Sequence, residues 1–484
     1  MKVDEYALCD GLALAGLVRS GEVSVDALRD AATSALSRVE PLVNAVVEWY
    51  ESPDPTQPGG PLIGVPFLRK DLGLAEAGRL LEMGSRMAAG FRPVTEAALT
   101  KRFKAAGLQV LGRSATPEFG ICGTTEPEVR GPTRNPWDLT RSSGGSSGGA
   151  AVAVAAGVVP IAHGSDGGGS IRIPAAACGV VGLKVSRGRV CSGSTDGDSI
   201  LDLSVDFVLT RTIRDTAAVL QSVAGPAAGD FVMNSAPLLP PGSSVPACRI
   251  AWTNGQGWPG SPEVDPEVSS AVGAVAGVLA DLGYRVEEAA PDYAWDEYLA
   301  VMTDAFALAT ASTVRSLSQT SGRPVSPDFL EPLTLANVEH ARRLSNRDIR
   351  DLKSRASDIR RSVGDLFERF DLLLCPTLAR PAAPLGTRWG MDPNLSAYEW
   401  TVQQEDWIPF SAVFNITGQP AISLPLAHSE AGLPIGVQLA ARPGREDLLL
   451  AVAGQLEEAL PWKHRLPPVH AAILDDDRRD GGWA

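Results

Sequence analysis

Apolar residues recur every three to four positions in the first part of the chain and again in its middle. Within residues 10–40 this spacing predicts two helices, and Ser24 stands where the N-cap of the second helix is expected. The segment 95–107 predicts another helix, which ends at Gly107, and residues 292–370 are mostly helical in pattern.

Short, continuous apolar runs between these helices predict buried strands. The clearest runs are LIGVPFLRKDL at 62–72, LQVLGRS at 108–114, DLLLCPT at 371–377, PAISLPL at 420–426 and LPIGVQLAA at 433–441. Residues 150–166 and 261–289 each predict a helix followed by a strand. Because strands alternate with helices, we expect an α/β protein whose sheet has helices on both faces.

Residues 142–183 hold 11 glycines but only two charged residues, Asp166 and Arg172. The region begins with SSGGSSGGAA, which has the composition of a flexible linker. A linker is usually surrounded by polar sequence, whereas this run leads directly into an apolar helix. We interpret it as a loop packed at the start of that helix. We find no internal repeat and no linker that divides residues 1–484.

The 484-residue chain is 44% hydrophobic and 21% charged, which is ordinary for a globular protein with a large core. Its net charge of −14 and the lack of a dense basic segment argue against a nucleic-acid partner. The apolar run 149–163 is too short to span a membrane. The six cysteines lack CxxC spacing and the first residues lack a signal peptide, so we expect a reduced, cytoplasmic setting.

Several common sites are excluded because residues they need are missing. GGSSGG lacks the lysine of a phosphate-binding loop, and GSDGGGS has Arg172 where a dinucleotide fingerprint needs its last glycine. The five histidines are far apart and form no HExxH motif, and His464 and His470 are expected at the surface. We therefore predict no metal and no cofactor.

Two side chains near the Gly/Ser region have a structural and a catalytic interpretation. His163 ends an apolar strand, where a buried core histidine is a simpler interpretation than the base of a Ser-His-Asp triad. Cys122 has no basic neighbour in EFGICGTT, which favours a buried thiol over a nucleophile.

Lys70 lies at the end of the strand GVPFLRKD. Because side chains alternate along a strand, it shares a face with Leu68, and Arg69 points the other way. If that face is buried, the pKa of the lysine falls and its neutral amine can act as a base for a serine. Taken alone, this stretch favours the alternative, in which Arg69, Lys70 and Asp71 form an ordinary charged strand end.

Three motifs at long spacing resemble the amidase signature family. GVPFLRKDL contains Lys70, SSGGSSGGAAVAVAAG contains Ser146 (76 residues on), and GSDGGGSIRIPAAACGVVGLK contains Ser170 (24 residues further). LVRSGEVS, LGRSATPEFG, TRNPWD, LLLCPT, FNITGQPAISLP and GLPIGVQLAARPGREDLLL are also typical of the family. The resemblance therefore covers nearly the whole chain.

The resemblance implies an α/β fold, with a large, mixed, twisted β-sheet sandwiched by helices, in a single amidase domain over residues 1–484. The signature core would span about 60–200, and a variable helical region of about 290–410 would form the substrate pocket. The implied reaction is hydrolysis of a carboxamide C–N bond through a seryl acyl-enzyme. We expect a monomer or homodimer that acts on a small-molecule amide or carbamate.

Within the family, TTEPE, RNPW and GREDLLL look closest to hydrolases of nylon oligomers, of the 6-aminohexanoate cyclic dimer type. This resemblance implies an apolar, aryl or oligomeric amide as the substrate. A carbamate (urethane) or ester hydrolase with the same triad is an alternative. An amidotransferase subunit of a tRNA-dependent complex is disfavoured by the acidic charge, and a non-catalytic binding protein is disfavoured by the intact motifs.

The family's Ser-cisSer-Lys triad falls on Lys70, Ser146 and Ser170. The resemblance makes Ser170 the nucleophile and places Ser146, after a cis peptide bond from Gly145, between Ser170 and Lys70. Glycine before such a bond relieves crowding. Neutral Lys70 would take the proton of Ser146, and Ser146 would take that of Ser170 as it attacks the carbonyl. Ser147 is a supporting residue by family position.

The oxyanion that forms in this attack needs hydrogen-bond donors. The backbone N–H groups expected to hold it are those of Gly167, Gly168, Gly169 and Ser170. Asp166 and Arg172 are expected to shape the loop around them; direct catalytic work is the alternative. The other serines of the region are predicted to make loop hydrogen bonds, namely Ser142, Ser143 and Ser165.

Three positions depart from the family pattern. Arg69 replaces an apolar residue, Gly167 replaces Thr, Ile or Ala, and Val185 replaces a proline. None of them removes a member of the triad. We expect them to affect the rigidity of the loop and the choice of substrate.

The substrate pocket is expected to come from the segments 121–126, 292–345 and 386–410. Aromatic walls would suit an apolar or aryl-bearing amide, although each tryptophan alone fits an ordinary core equally well. The residues predicted to line the pocket are Gly120, Ile121, Cys122, Trp389, Trp400 and Trp407.

Overall fold

In the computed structural model of this chain, the residues described are 1–57, 59–191, 201–227, 233–245, 247–387 and 392–474. They contain a sheet of eleven strands and a separate pair, β4 with β5. The strands are β1 (Val46–Trp49), β2 (Pro66–Lys70), β3 (Gln109–Ser114), β4 (Arg134–Asn135), β5 (Asp138–Ser142), β6 (Ile161–Asp166), β7 (Val181–Lys184), β8 (Val205–Thr210), β9 (Arg249–Trp252), β10 (Arg285–Glu288), β11 (Leu372–Pro376), β12 (Ala421–His428) and β13 (Pro434–Ala441).

The sheet is mixed, in the order β1-β3-β2-β6-β8-β7-β12-β13-β11-β9-β10. β2 runs parallel to β3 and β6, and β9 runs parallel to β10 and β11. The strands between these two parallel groups pair antiparallel. This arrangement confirms the predicted α/β fold with a large mixed sheet.

Helices flank the sheet. They are α1 (Val3–Leu8), α2 (Gly11–Arg19), α3 (Val25–Val43), α4 (Ala98–Ala105), α5 (Gly148–Ala155), α6 (Arg172–Cys178), α7 (Ile213–Val223), α8 (Pro266–Asp281), α9 (Trp295–Ser321), α10 (Pro332–Arg343), α11 (Asn346–Arg369), α12 (Ala397–Glu405), α13 (Val413–Thr417) and α14 (Glu446–Ala459). As predicted, Ser24 caps α3, and its Oγ accepts the Ala27 N–H at 3.1 Å. In the described ranges, none of the helices has both the length and the apolarity that a membrane crossing requires.

The Gly/Ser run at 142–151 is packed into the core and is not a linker. It leads into α5, whose eight residues are all buried. A Cβ on Gly149 would lie 2.3 Å from Ala115 N and 2.4 Å from Ala45 O, so a larger residue has no room there. The absence of side chains lets α5 lie close to the strands that carry the site.

The prediction that His470 lies at the surface is wrong. His470 is fully buried, whereas His464 is exposed. The segment folds back over the end of α5, where the Ala471 N–H donates to the Ala156 C=O at 2.9 Å. The extent of a single domain, and of its signature core and variable region, remains a prediction.

Candidate active site

Lys70 is the last residue of β2, and its side chain is fully buried. Its Nζ donates hydrogen bonds to Ser146 Oγ at 2.7 Å and to Ser165 Oγ at 3.0 Å. Burial lowers the pKa of Lys70 from 10.5 to about 7, although Asp206 and Asp166 act in the opposite direction. A neutral amine is therefore available near pH 7, in contact with a serine hydroxyl.

The neighbours of Lys70 are buried as well, so the interpretation as an ordinary charged strand end is wrong. Arg69 Nε lies 3.1 Å from Glu76 Oε2, and Asp71 Oδ1 lies 2.6 Å from Arg113 Nη1. β2 lies between β3 and β6, where both of its faces are covered. Arg69 and Asp71 are therefore each paired with an opposite charge, whereas the partners of Lys70 are two serine hydroxyls.

The peptide bond between Gly145 and Ser146 is cis. A Cβ on Gly145 would lie 2.6 Å from Cys122 O and 2.7 Å from Thr124 N. Only glycine fits between these backbone atoms. Ser146 is buried, and the turn holds its Oγ against Lys70 Nζ.

Ser147 joins the two serine-bearing segments. Its backbone N–H donates to the Ser170 C=O at 3.1 Å, and its Oγ donates to the Ser165 C=O at 3.3 Å. The first bond holds the loop that carries Ser146 beside the loop that carries Ser170. Ser170 is partly exposed and lies in the wall of a pocket.

Asp166 and Arg172 form a fully buried ion pair behind the Ser170 loop, with Arg172 Nη2 at 2.9 Å from Asp166 Oδ1. Asp166 also accepts the N–H groups of Gly169 at 2.8 Å and Ile171 at 3.2 Å. Burial alone would raise the pKa of Asp166, but Arg172, together with Lys184 and Asn415, outweighs burial, and the pKa lies below its ordinary value. The pair fixes the loop and does not line the pocket.

The glycines of this loop are not equivalent. Gly169 has φ +126°, and a Cβ there would lie 2.6 Å from Ile173 Cδ1 and 2.7 Å from Ser411 Cβ. Around Gly167 the nearest atom would be Ser204 Cβ, at 3.8 Å. Because the Gly169 N–H already donates to Asp166, it is not available to an oxyanion in this geometry. The expected set of oxyanion donors narrows to Gly167, Gly168 and Ser170.

A narrow pocket opens beside Ser170. Its free space is about 40 Å³, room for only a few water molecules. Four of the predicted lining residues are in its wall: Gly120, Ile121, Cys122 and Trp400. The wall also contains residues that were not singled out but lie in the predicted pocket segments 292–345 and 386–410, among them Met302, Phe306, Gln404, Glu405 and Ile408.

Of the other two predicted tryptophans, Trp407 is not in this wall. Trp407 lines an adjacent small cavity together with Ile173 and Ile408, and Arg380 lies 5.6 Å from its ring centre. Trp389 lies outside the described residues.

Ser165 is a contact of Lys70 that the sequence did not single out. It was predicted to make loop hydrogen bonds, but it lies on β6 and bonds to Lys70 Nζ. The available signal was strand alternation, which puts Ser165 on the same face as His163. That signal is useful only once β6 is known to lie beside β2.

His163 is a buried core group, whereas Cys122 is half-buried and lines the pocket. His163 Nδ1 accepts the Lys70 backbone N–H at 3.2 Å and its Nε2 donates to Asp206 Oδ1 at 3.1 Å, while burial lowers its pKa. Burial raises the pKa of Cys122 to about 12, so it is a thiol near pH 7. Within the ranges described, no group of three His, Cys, Asp or Glu side chains could hold a metal ion.

Comparison with known proteins gives one consistent family. A family model described as Amidase matches residues 32–450. The 6-aminohexanoate-cyclic-dimer hydrolase of Paenarthrobacter ureafaciens is 37% identical over 496 residues, which cover 96% of this chain and 97% of that protein.

Solved structures show the same similarity. The structure of 6-aminohexanoate cyclic dimer hydrolase complexed with substrate has a TM-score of 0.87 and 35% identity, over 96% of this chain and 99% of that one. A bacterial aryl acylamidase of the amidase signature family has a TM-score of 0.84 and 25% identity, over 95% and 98%.

Proposed function

We infer the catalytic steps from one premise: this chain belongs to the amidase signature family and is an enzyme that hydrolyses amide C–N bonds. We propose that Lys70, Ser146 and Ser170 carry out the reaction through a seryl acyl-enzyme. The observation that carries this proposal is the 2.7 Å hydrogen bond from a fully buried Lys70 Nζ to Ser146 Oγ.

The first step is attack of Ser170 on the amide carbon. A serine hydroxyl is a weak nucleophile unless a base removes its proton. Lys70 in its neutral form takes the proton of Ser146, and Ser146 takes the proton of Ser170 as the C–O bond forms. With a pKa of about 7, Lys70 can both accept and return that proton near neutrality.

The negative charge that develops on the carbonyl oxygen is stabilised by backbone N–H groups. We assign this role to Gly167, Gly168 and Ser170. The Asp166–Arg172 pair holds the loop that presents them, through the bonds of Asp166 to Gly169 N and Ile171 N. Donors fixed before the substrate arrives need no reorganisation during the reaction.

The intermediate then collapses and the C–N bond breaks. Ser146 gives a proton to the leaving amine and recovers one from Lys70, so that the amine leaves neutral. A water molecule next attacks the acyl-enzyme while the same relay takes its proton. Return of a proton to Ser170 releases the carboxylic acid and restores the neutral lysine.

We propose an amide with an apolar chain or aryl group as the substrate. The pocket beside Ser170 supports this class, because Met302, Phe306 and Ile408 supply apolar surface to it. The similarity to a protein named 6-aminohexanoate-cyclic-dimer hydrolase also supports it.

The test is to replace the proposed nucleophile and the serine that most resembles it. Ser170→Ala should lower kcat/KM for an aryl amide by about 10⁴-fold or more. The control is Ser147→Ala, which removes a buried hydroxyl next to the relay and should lose far less activity. A serine-reactive fluorophosphonate should label Ser170 in the wild type, as read by peptide mass spectrometry. Labelling of another serine, or turnover that Ser170→Ala leaves intact, would exclude the proposal.

A further inference from the structure

Glu405, the last residue of α12, has a carboxyl group that is satisfied on one side only. Its side chain is buried, with 6% of the residue exposed. Oε1 accepts a hydrogen bond from the Tyr298 hydroxyl at 2.9 Å. Oε2 is buried too, and no donor in the described part of the chain bonds to it. Buried polar atoms without a partner are rare, because they lose their bonds to water and gain none.

Glu405 is part of the wall of the substrate pocket. Glu405 lies in the same wall as Ser170 and Gly168. The surface between them is mostly apolar, with Met302 and Phe306 as its large side chains. An apolar chain that extends from the reacting carbon along this wall meets a hydrogen-bond acceptor at Glu405.

Among the described residues, no cation pairs with Glu405. The titratable groups that act on it are Tyr298, Tyr293 and Asp406, which lie on or before α9 and just after α12. None of the three is a cation. Burial, together with the charge of Asp406, raises the pKa of Glu405 to about 8. Near pH 7 the carboxyl therefore carries its proton while the site is empty, and a positively charged donor that binds there would favour the ionised form, whose free oxygen accepts a hydrogen bond.

We propose that Glu405 Oε2 accepts a hydrogen bond from an N–H group that the substrate carries in addition to its scissile amide. The chemical class is an amide with an apolar spacer that ends in an amino group or a second amide. This inference rests on the proposed function, because it places the reacting carbon at Ser170. It makes Glu405 the residue by which the enzyme distinguishes such substrates from purely apolar amides.

The test uses three hexanoyl p-nitroanilides that differ only at the far end of the acyl chain, which carries methyl, amino or acetamido. A second series consists of hexanamides with a constant acyl group. Their amine carries a chain that ends in methyl, amino or acetamido. In the wild type, kcat/KM relative to the methyl-ended compound should be raised about tenfold to hundredfold for the N–H-bearing compounds of one series. Working with ratios within each enzyme removes general effects of a substitution on turnover.

Two variants separate an ammonium from an amide N–H. Glu405→Gln keeps an acceptor oxygen but not the charge, so it should abolish the preference for the amino end and largely retain that for the acetamido end. Glu405→Leu should abolish both. Asp406→Asn, which removes the neighbouring exposed charge, is the control and should keep the wild-type ratios. Ratios that neither Glu405 variant changes, in either series, would overturn the inference.

A binding measurement keeps this test independent of turnover. In Ser170→Ala, 6-aminohexanamide or 6-acetamidohexanamide should raise Tm more than hexanamide does, because ligands stabilise the folded state in proportion to their affinity. The combined Ser170→Ala, Glu405→Leu variant should lose that difference. Equal Tm shifts in both variants contradict the role of Glu405, whereas turnover that Ser170→Ala does not reduce contradicts the proposed catalytic mechanism.

Discussion

The two sides of the substrate pocket are built in opposite ways. On the side formed by β2, β6 and the loop before α6, the functional polar groups bond to one another: Lys70 to Ser146, and Asp166 to Arg172. On the side formed by α9 and α12, buried polar atoms are left over. Glu405 Oε2 and Trp400 Nε1 have no hydrogen-bond partner in the described residues.

This difference separates chemistry from selection. Groups that act on every substrate are most effective when their geometry is fixed in advance by internal bonds. Groups that recognise one substrate need a hydrogen-bonding atom that has no partner within the protein, so that the ligand can supply the partner. We therefore expect substitutions on the first side to abolish turnover or folding, and substitutions on the second side to change preference.

The largest effect should come from the relay. Lys70→Ala and Ser146→Ala should each lower kcat/KM by about 10²- to 10⁴-fold, because each interrupts the same proton transfer. The double variant should be little worse than either single one, since residues that act as a unit are not additive. On the opposite wall, Ile408→Val should cost about tenfold, the effect of one methylene in an apolar pocket. A Lys70→Ala enzyme that keeps a tenth of the wild-type kcat/KM would contradict the distinction between a catalytic side and a selective side of the pocket.

The next effect is on stability. Arg172→Met should lower the free energy of unfolding by about 3–5 kcal/mol, because it leaves Asp166 charged and buried without its partner. Arg343→Met breaks an ion pair whose arginine side chain is 75% exposed, and should cost at most about 1 kcal/mol. Urea denaturation of both variants measures the contrast, and equal losses would show that burial of the first pair is irrelevant.

A pH profile examines the two groups that titrate near neutrality on opposite sides of the pocket. Lys70 must be neutral to accept a proton, and its pKa is about 7. The kcat/KM for a methyl-ended anilide should therefore fall as the pH drops below 7, to about a hundredth of its plateau at pH 5. Glu405→Gln removes the carboxyl whose pKa is about 8, and the acidic limb should persist in this variant. If Glu405→Gln abolished the acidic limb, the limb would report the titration of Glu405 and not that of Lys70.

The sequence was more informative about the first side than about the second. The contact of Lys70 with Ser146 was expected from the resemblance to the amidase signature family, whereas the local pattern around Lys70 alone favoured an ordinary charged strand end. Ser165 and the burial of Arg69 and Asp71 depend on the order of strands, which joins segments that are distant in the chain. No local pattern reports which strand lies next to β2.

The pocket wall formed by α9 and α12 was harder to predict, because the burial of its residues depends on contacts between segments that are distant in the sequence. Glu405 stands in VQQEDW, a polar sequence that is typical of an exposed helix end. It is buried because α12 packs against α9, from which Tyr298 reaches its carboxyl group. His470 shows the same limit, since its burial depends on a segment that folds back over α5.

The smallest effect concerns Gly167, which stands between the two sides. A Cβ there would lie 3.9 Å from Phe306 Cζ of the wall and 3.8 Å from Ser204 Cβ, both ordinary contacts, and the backbone is not left-handed. Gly167→Ala should therefore raise the free energy of unfolding by about 0.4–1 kcal/mol, because alanine restricts the unfolded chain. Gly169→Ala is the matched control and should lower it by more than about 1 kcal/mol, given φ +126° and a contact of 2.6 Å with Ile173 Cδ1. Opposite signs in urea denaturation would show that the catalytic loop is constrained where it meets Asp166 and free where it meets the wall. Destabilisation by both substitutions would mean that the loop is fixed along its whole length.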